Sequence, residues 1–202
     1  MTARTRAAAA ELPISHREAG MPTPLVGMLL FIASEVMFFG GLFAAYFNSR
    51  ASYAGVWGPP ESAPELEILP IALPITIVLL ASSFTMQFGV WAIRRGDHRA
   101  MTRWVALTLA LGVTFLIGQA YDYTTLGFGL SDGLFGTVFY TLTGFHGAHV
   151  FGGAVGLTIL VARARAGQFN ARHHVAVEAV SIYWHFVDLV WVALFTTLYF
   201  LR

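Results

Sequence analysis

A few ionisable and hydrogen-bonding side chains stand inside long apolar stretches, and they are where chemistry is to be sought. Glu35 lies about ten residues into the run Leu25–Phe47, or roughly 15 Å deep at 1.5 Å per helical residue. Its helical neighbours Phe31, Ile32, Phe38 and Phe39 are bulky and apolar, so its carboxyl group needs a partner from another segment. His146 and His149 stand three apart, which places them on one helical face. His185 and Asp188 repeat that spacing, Glu178 precedes them by two turns, and Gln119 and Asp122 form another pair three apart. The pairing to expect first is Glu35 with a histidine of the 146/149 pair. Three kinds of chemistry are open to this set: hydrogen bonds that lock helices together, proton handling centred on Glu35, and metal or haem ligation by His146, His149 and His185. The locking role is the ordinary one. Ligation is poorly supported, since two histidines on one helix can share a metal but no third ligand is fixed by spacing.

The elements that carry these residues follow from composition. The chain has 202 residues, 56% hydrophobic and 11% charged, with a mean hydropathy of +0.65 and a net charge of +1. Soluble domains are about a quarter charged, so this chain is of the membrane class, and its near-neutral balance gives no sign of nucleic-acid binding. Cysteine is absent, which excludes disulfides, thiolate metal sites, iron–sulfur clusters and covalent c-type haem. All twelve basic residues are arginine.

A membrane crossing takes about 20 apolar helical residues. Five stretches qualify, at 25–47, 70–93, 104–123, 134–162 and 175–201. Continuous apolar runs without alternation exclude a transmembrane β-barrel. The fold expected is therefore an all-α integral membrane bundle of five helices spanning residues 22–202, preceded by a tail at 1–21 with no signal-peptide core. Pro70 and Pro74 fall in the opening turns of the second helix, where a missing N–H costs little. Arginines 4, 6, 17, 94, 95, 99, 103, 163, 165 and 172 fall on one side if the helices alternate; only Arg50 and Arg202 fall on the other, with Glu61, Glu65, Glu67 and Asp132. The positive-inside rule then puts the N-terminus in the cytoplasm and the C-terminus outside.

Small residues recur every fourth position on the fourth helix: Gly144, Ala148, Gly152 and Gly156. Such a stripe admits a neighbouring backbone; core packing is the ordinary reading and subunit contact the other. Trp57, Trp91, Trp104, Tyr121 and Tyr123 sit near span ends, where aromatic belts form. Arg94, Arg95, Arg163 and Arg165, with Arg99 and Arg103, form a basic rim suited to anionic phospholipid headgroups. Asp97, His98, His173 and His174 add titratable groups beside that rim.

Three stretches together resemble the third subunit of the haem-copper cytochrome c oxidases: Ser34-Glu35-Val36-Met37-Phe38-Phe39, Thr143-Gly144-Phe145-His146-Gly147-Ala148-His149-Val150, and the run from His173 to Trp191. Gln119-Ala120-Tyr121-Asp122-Tyr123 and Ser131-Asp132-Gly133 are similar to that family as well. Many of its members have seven helices, and this chain looks like the five-helix form that lacks the first two. In seven-helix members a V-shaped cleft holds phospholipid; here its second wall would come from another subunit or from lipid.

The resemblance implies a subunit with no haem or copper of its own, those cofactors residing in partner subunits. Such a subunit packs on subunit I beside subunit II, binds phospholipid, supports proton uptake and guards against inactivation during turnover. It also implies the plasma (inner) membrane of a bacterium, with a respiratory supercomplex as a wider setting. Glu35 matches the family's intramembrane glutamate, and His146, His149, Glu178, His185 and Asp188 match its polar motif positions. The competing readings are the equivalent subunit of a quinol oxidase or of a nitric-oxide-reductase-associated relative, and, more remotely, a stand-alone membrane cytochrome or a proton transporter. The glutamate of Ser34-Glu35-Val36-Met37 favours the cytochrome c branch.

Overall fold

The structure, a computed structural model, describes residues 20–59 and 71–201. The tail through residue 19, the acidic residues 61, 65 and 67, Pro70 and Arg202 lie outside the described residues. Five helices follow one another: α1 Thr23–Ser52, α2 Leu73–Arg94, α3 His98–Thr125, α4 Gly133–Arg165 and α5 Val175–Phe195, the last running into a π-helical turn at Thr196–Phe200. All five are long and apolar enough to cross a membrane, as the apolar runs require.

Local chemistry accounts for the helix ends. α3 begins six residues earlier than its apolar run because Asp97 Oδ1 accepts from the Ala100 amide at 2.8 Å, capping the first turn. The α2–α3 turn depends on Gly96, whose φ of +82° favours a residue without Cβ. Pro74 opens α2, and Pro22 and Pro24 flank the start of α1, positions where no helical amide bond is lost.

α2, α3, α4 and α5 close into a ring in that order, and α1 lies outside it against α5 and α4. Two tryptophans of α5 occupy the ring's centre. Trp184 and Trp191 are buried, and each indole N–H finds a hydroxyl of α2 at 2.9 Å: Ser82 for Trp184, Thr76 for Trp191. A buried indole needs such a partner, so the two bonds set the register of α2 against α5. α2 and α3 pack along their length, with Thr85 and Thr108 hydroxyls 2.8 Å apart.

The glycines that admit close approach are not those of the four-residue stripe. A Cβ on Gly112 of α3 or Gly153 of α4 would fall 2.5 Å and 2.7 Å from the Trp184 ring, so this indole is sandwiched between two bare backbones. Gly144, Ala148 and Gly152 instead face outward, and only Gly156 is half-buried, against Val180. The expectation that the stripe packs the core is thereby corrected. The stripe lies one residue out of phase with Gly153, and about 100° of rotation carries it from the interior to the rim.

Only Phe39 and Tyr46 of α1 are buried, while Leu30 is 69% and Met37 72% exposed. Ile117 and Leu189 protrude similarly from α3 and α5. Apolar surface on this scale belongs against lipid or another protein. Of the expected belt aromatics, Trp91 and Tyr121 face outward. Trp57 turns in against Tyr46 and Phe135, and Tyr123 turns in to hydrogen-bond Thr143 at 2.8 Å.

Two ties fix which ends lie together. The Tyr46 hydroxyl donates to the Thr197 carbonyl at 3.1 Å, joining the C-terminal ends of α1 and α5. Arg94 contacts Glu178 at 2.7 Å, joining the end of α2 to the start of α5. The described arginines 94, 95, 99, 103, 163, 165 and 172 therefore share one end of the bundle, and Arg50 lies at the other.

Candidate functional site: polar seams within the bundle

The seam between α1 and α4 holds the first polar group. His149 Nε2 lies 2.9 Å from Glu35 Oε2, and both side chains are half-buried. The other imidazole nitrogen, Nδ1, is 2.7 Å from the Phe145 carbonyl one turn back. A carbonyl can only accept, so Nδ1 carries hydrogen. The proton between Nε2 and Oε2 then rests on either atom: a carboxylic acid donating to neutral imidazole, or imidazolium donating to carboxylate. One shared proton satisfies the pair in both states. Phe38 and Phe39 flank the imidazole, and the Tyr183 hydroxyl donates to the His149 carbonyl at 3.0 Å. The Glu35 partner expected from the sequence is thus present.

His146 does not share that seam. It is fully buried, stacked on Trp191 with centroids 4.9 Å apart and edge-on to Phe115. Neither ring nitrogen has a hydrogen-bond partner among the described residues. A spacing of three residues leaves about 60° between side chains, enough to send His149 to α1 and His146 into the ring. The shared face expected from their spacing is therefore divided between two environments.

A third group lies between α2 and α5. The Ser83 hydroxyl donates to Asp188 Oδ2 and stands 3.0 Å from His185 Nδ1. A hydroxyl has one hydrogen, so while Ser83 donates to Asp188 it accepts from Nδ1–H. Asp188 is buried, and its Oδ1 has no partner among the described residues. Ser83 was not among the sequence candidates. The signal available was a Ser82-Ser83 pair in a span otherwise lacking charge, with Ser82 bonded to Trp184 and Ser83 bridging His185 and Asp188.

Gln119 and Asp122 are buried on α3, with Nε2 and Oδ2 3.5 Å apart, a long contact. Glu178 lies at the arginine-rich end in the first turn of α5. There it takes Arg94 Nε at 2.9 Å and has His174 Nε2 3.4 Å away. Of the rim arginines, Arg94 is engaged with Glu178, and Arg163 with Gln168 at 2.9 Å and the Phe169 ring at 4.9 Å. Arg95 and Arg165 are exposed. Among the described residues no three His, Asp or Glu side chains converge as a metal site.

Such a bundle, with half-open and buried polar pairs inside apolar helices, is a multi-pass membrane protein whose seams are joined by hydrogen-bonded side chains. The family model described as cytochrome c oxidase subunit III matches residues 7–202. The chain is 47% identical over 180 residues to the probable cytochrome c oxidase subunit 3 of Mycobacterium tuberculosis, covering 88% of this chain and 87% of that protein. Cytochrome c oxidase subunit 3 of Corynebacterium diphtheriae is 46% identical over the same shares. That of Thermostichus vulcanus is 41% identical over 191 residues, covering 94% of this chain and 93% of the relative. The chain belongs to the cytochrome c oxidase subunit III family, as its motifs suggested, and so to the respiratory electron-transport machinery of the membrane.

Proposed function

We propose that the chain is the non-catalytic third subunit of a bacterial respiratory haem-copper cytochrome c oxidase. It packs on subunit I near subunit II, with haem and copper held by those partners. Family membership over nearly the whole chain carries this reading. The kinship with cytochrome c oxidase subunits favours cytochrome c over quinol as the donor.

In this reading the chain stands in the plasma membrane with its tail and arginine-rich end in the cytoplasm, because that end gathers the basic residues. Glu35, with His149, serves proton uptake by the complex, since one proton can sit on either side of their hydrogen bond. Ser83, His185 and Asp188, and Gln119 with Asp122, lock helix seams. His146 fills the core. The outward faces of α1 and the exposed stripe of α4 take lipid or partner helices.

Affinity purification through a tag on this chain tests the proposal. The eluate is expected to contain haem and copper in fixed ratio to the chain, carried by larger subunits, and to oxidise reduced cytochrome c with oxygen. A chain recovered without those subunits, or itself binding haem, would refute it.

A further inference from the structure

Serine, histidine and aspartate meet between α2 and α5, but in an order unsuited to nucleophilic catalysis. In a nucleophilic triad the imidazole stands between hydroxyl and carboxylate and takes the hydroxyl proton. Here the hydroxyl stands in the middle: Ser83 Oγ donates to Asp188 Oδ2 and lies 3.0 Å from His185 Nδ1. Its proton is committed to the carboxylate, so the imidazole donates to it instead of accepting. The chain of bonds has two unlike ends. Asp188 is 3% exposed, and its Oδ1 has no partner among the described residues. His185 is half-buried, and its Nε2 is bonded to no described residue. The chain neighbours Phe84 and Leu189 are 67% and 68% exposed, so the His185 end lies on the open side of the seam.

We propose that, beyond joining α2 to α5, Ser83, His185 and Asp188 form a proton relay between the exposed side of this seam and the buried Asp188 carboxylate. The starting imidazole carries its hydrogen on Nδ1 and leaves Nε2 bare. A proton brought by water at the exposed side binds Nε2, the Nδ1 hydrogen passes to Ser83 Oγ, and the Ser83 hydrogen passes to Asp188 Oδ2. The imidazole then holds its hydrogen on Nε2, Ser83 donates to Nδ1, and the Asp188 carboxylic acid donates to Ser83. One proton has been added, the carboxylate charge is neutralised, and both hydrogen bonds persist with their directions reversed. A buried carboxylate with one oxygen unbonded is costly, and the arriving proton removes that charge. The other carboxylates and histidines of the spans are engaged elsewhere. Glu35 of α1 is paired with His149 of α4, His146 is stacked on Trp191, and Asp122 of α3 lies beside Gln119. On α5 Tyr183 donates to the His149 carbonyl, and Glu178, two turns before His185, is bonded to Arg94 of α2. The inference rests on this seam and not on the oxidase assignment, which haem content and cytochrome c oxidation read separately.

Infrared difference spectra of the purified complex, recorded across a pH titration with ring-labelled histidine, test the relay. As pH falls, the wild type is expected to gain the C=O stretch of a protonated carboxyl group while, in the same step, a histidine changes from its Nδ1–H to its Nε2–H form. The carboxyl signal is expected to vanish in Asp188→Asn and the histidine signal in His185→Gln. Ser83→Thr, which keeps the hydroxyl, is expected to hold the two changes in one step, and Ser83→Ala to lose that coincidence. Wild-type spectra with no histidine change, or Asp188→Asn spectra that match the wild type, overturn the relay and leave only a helix lock. Glu35→Gln is expected to keep both signals; their loss would assign them to the α1–α4 pair and overturn the proposal. If Asp188→Asn does not assemble, the comparison of Ser83→Thr with Ser83→Ala decides, and identical titrations of the two contradict the relay.

Discussion

Glu35 and His149 meet across a single 2.9 Å hydrogen bond, and this defines what each substitution does. Gln in place of Glu35 retains an amide N–H that can donate to Nε2, so the seam stays bonded while the exchangeable proton disappears. The expected outcome is a complex assembled at wild-type yield with slower proton uptake, measured by oxidase turnover against pH; loss of the whole complex would show that the pair is purely structural. His149→Phe instead leaves the Glu35 carboxyl group without its partner, a change expected to cost about 1–3 kcal/mol and to lower the inactivation temperature. Ser83→Ala takes from Asp188 and His185 their shared hydroxyl, with a similar expected loss of about 1–3 kcal/mol in thermal denaturation. At this scale the sequence was a partial guide. Glu35 as a candidate follows from depth and the shortage of polar neighbours, and a fourth-helix histidine was the first partner to expect among several that the sequence left open. The divergence of His146 from His149 does not, because a 60° difference on a helix has meaning only once the neighbouring helices are placed. Ser83 escaped notice because serines are common in membrane helices, and nothing at its own position marks a partner on α5.

The five helices were legible as apolar runs, and the departures lie where capping or phase decides. α3 starts at His98 rather than at 104 because of the Asp97 cap, which lies outside the apolar window. The small-residue stripe of α4 was visible as a spacing, but its direction was not. Gly153, one position off the stripe, is the residue that meets Trp184. Gly153→Ala is therefore expected to overpack that indole and destabilise the chain by about 1–3 kcal/mol. Gly144→Ala adds a methyl group that meets nothing among the described residues and is expected to leave the chain's thermal stability unchanged. Thermal unfolding of the two variants side by side checks the assignment; equal losses would contradict the phase of α4 described above.

At the scale of the whole molecule the bundle is asymmetric. Four helices share a tryptophan-centred core, while α1 is held by Phe39, Tyr46 and the Glu35–His149 bond and turns most of its surface outward. A chain built this way presents much apolar surface for lipid and for other subunits to cover. Its sidedness can be tested directly because the sequence has no cysteine. A single cysteine at Gln168 is expected to react with an impermeant maleimide only from the cytoplasmic side, and one at Ser131 only from outside; the reverse pattern would invert the proposed orientation. Subunit function was readable only through motif resemblance, since the polar seams by themselves suit many helical bundles. The most direct measurement of the central claim is native mass spectrometry of the intact complex released from the membrane through a tag on this chain. The account predicts one copy of the chain bound to larger haem- and copper-bearing subunits, whereas a species containing this chain alone, or this chain with its own haem, would contradict it.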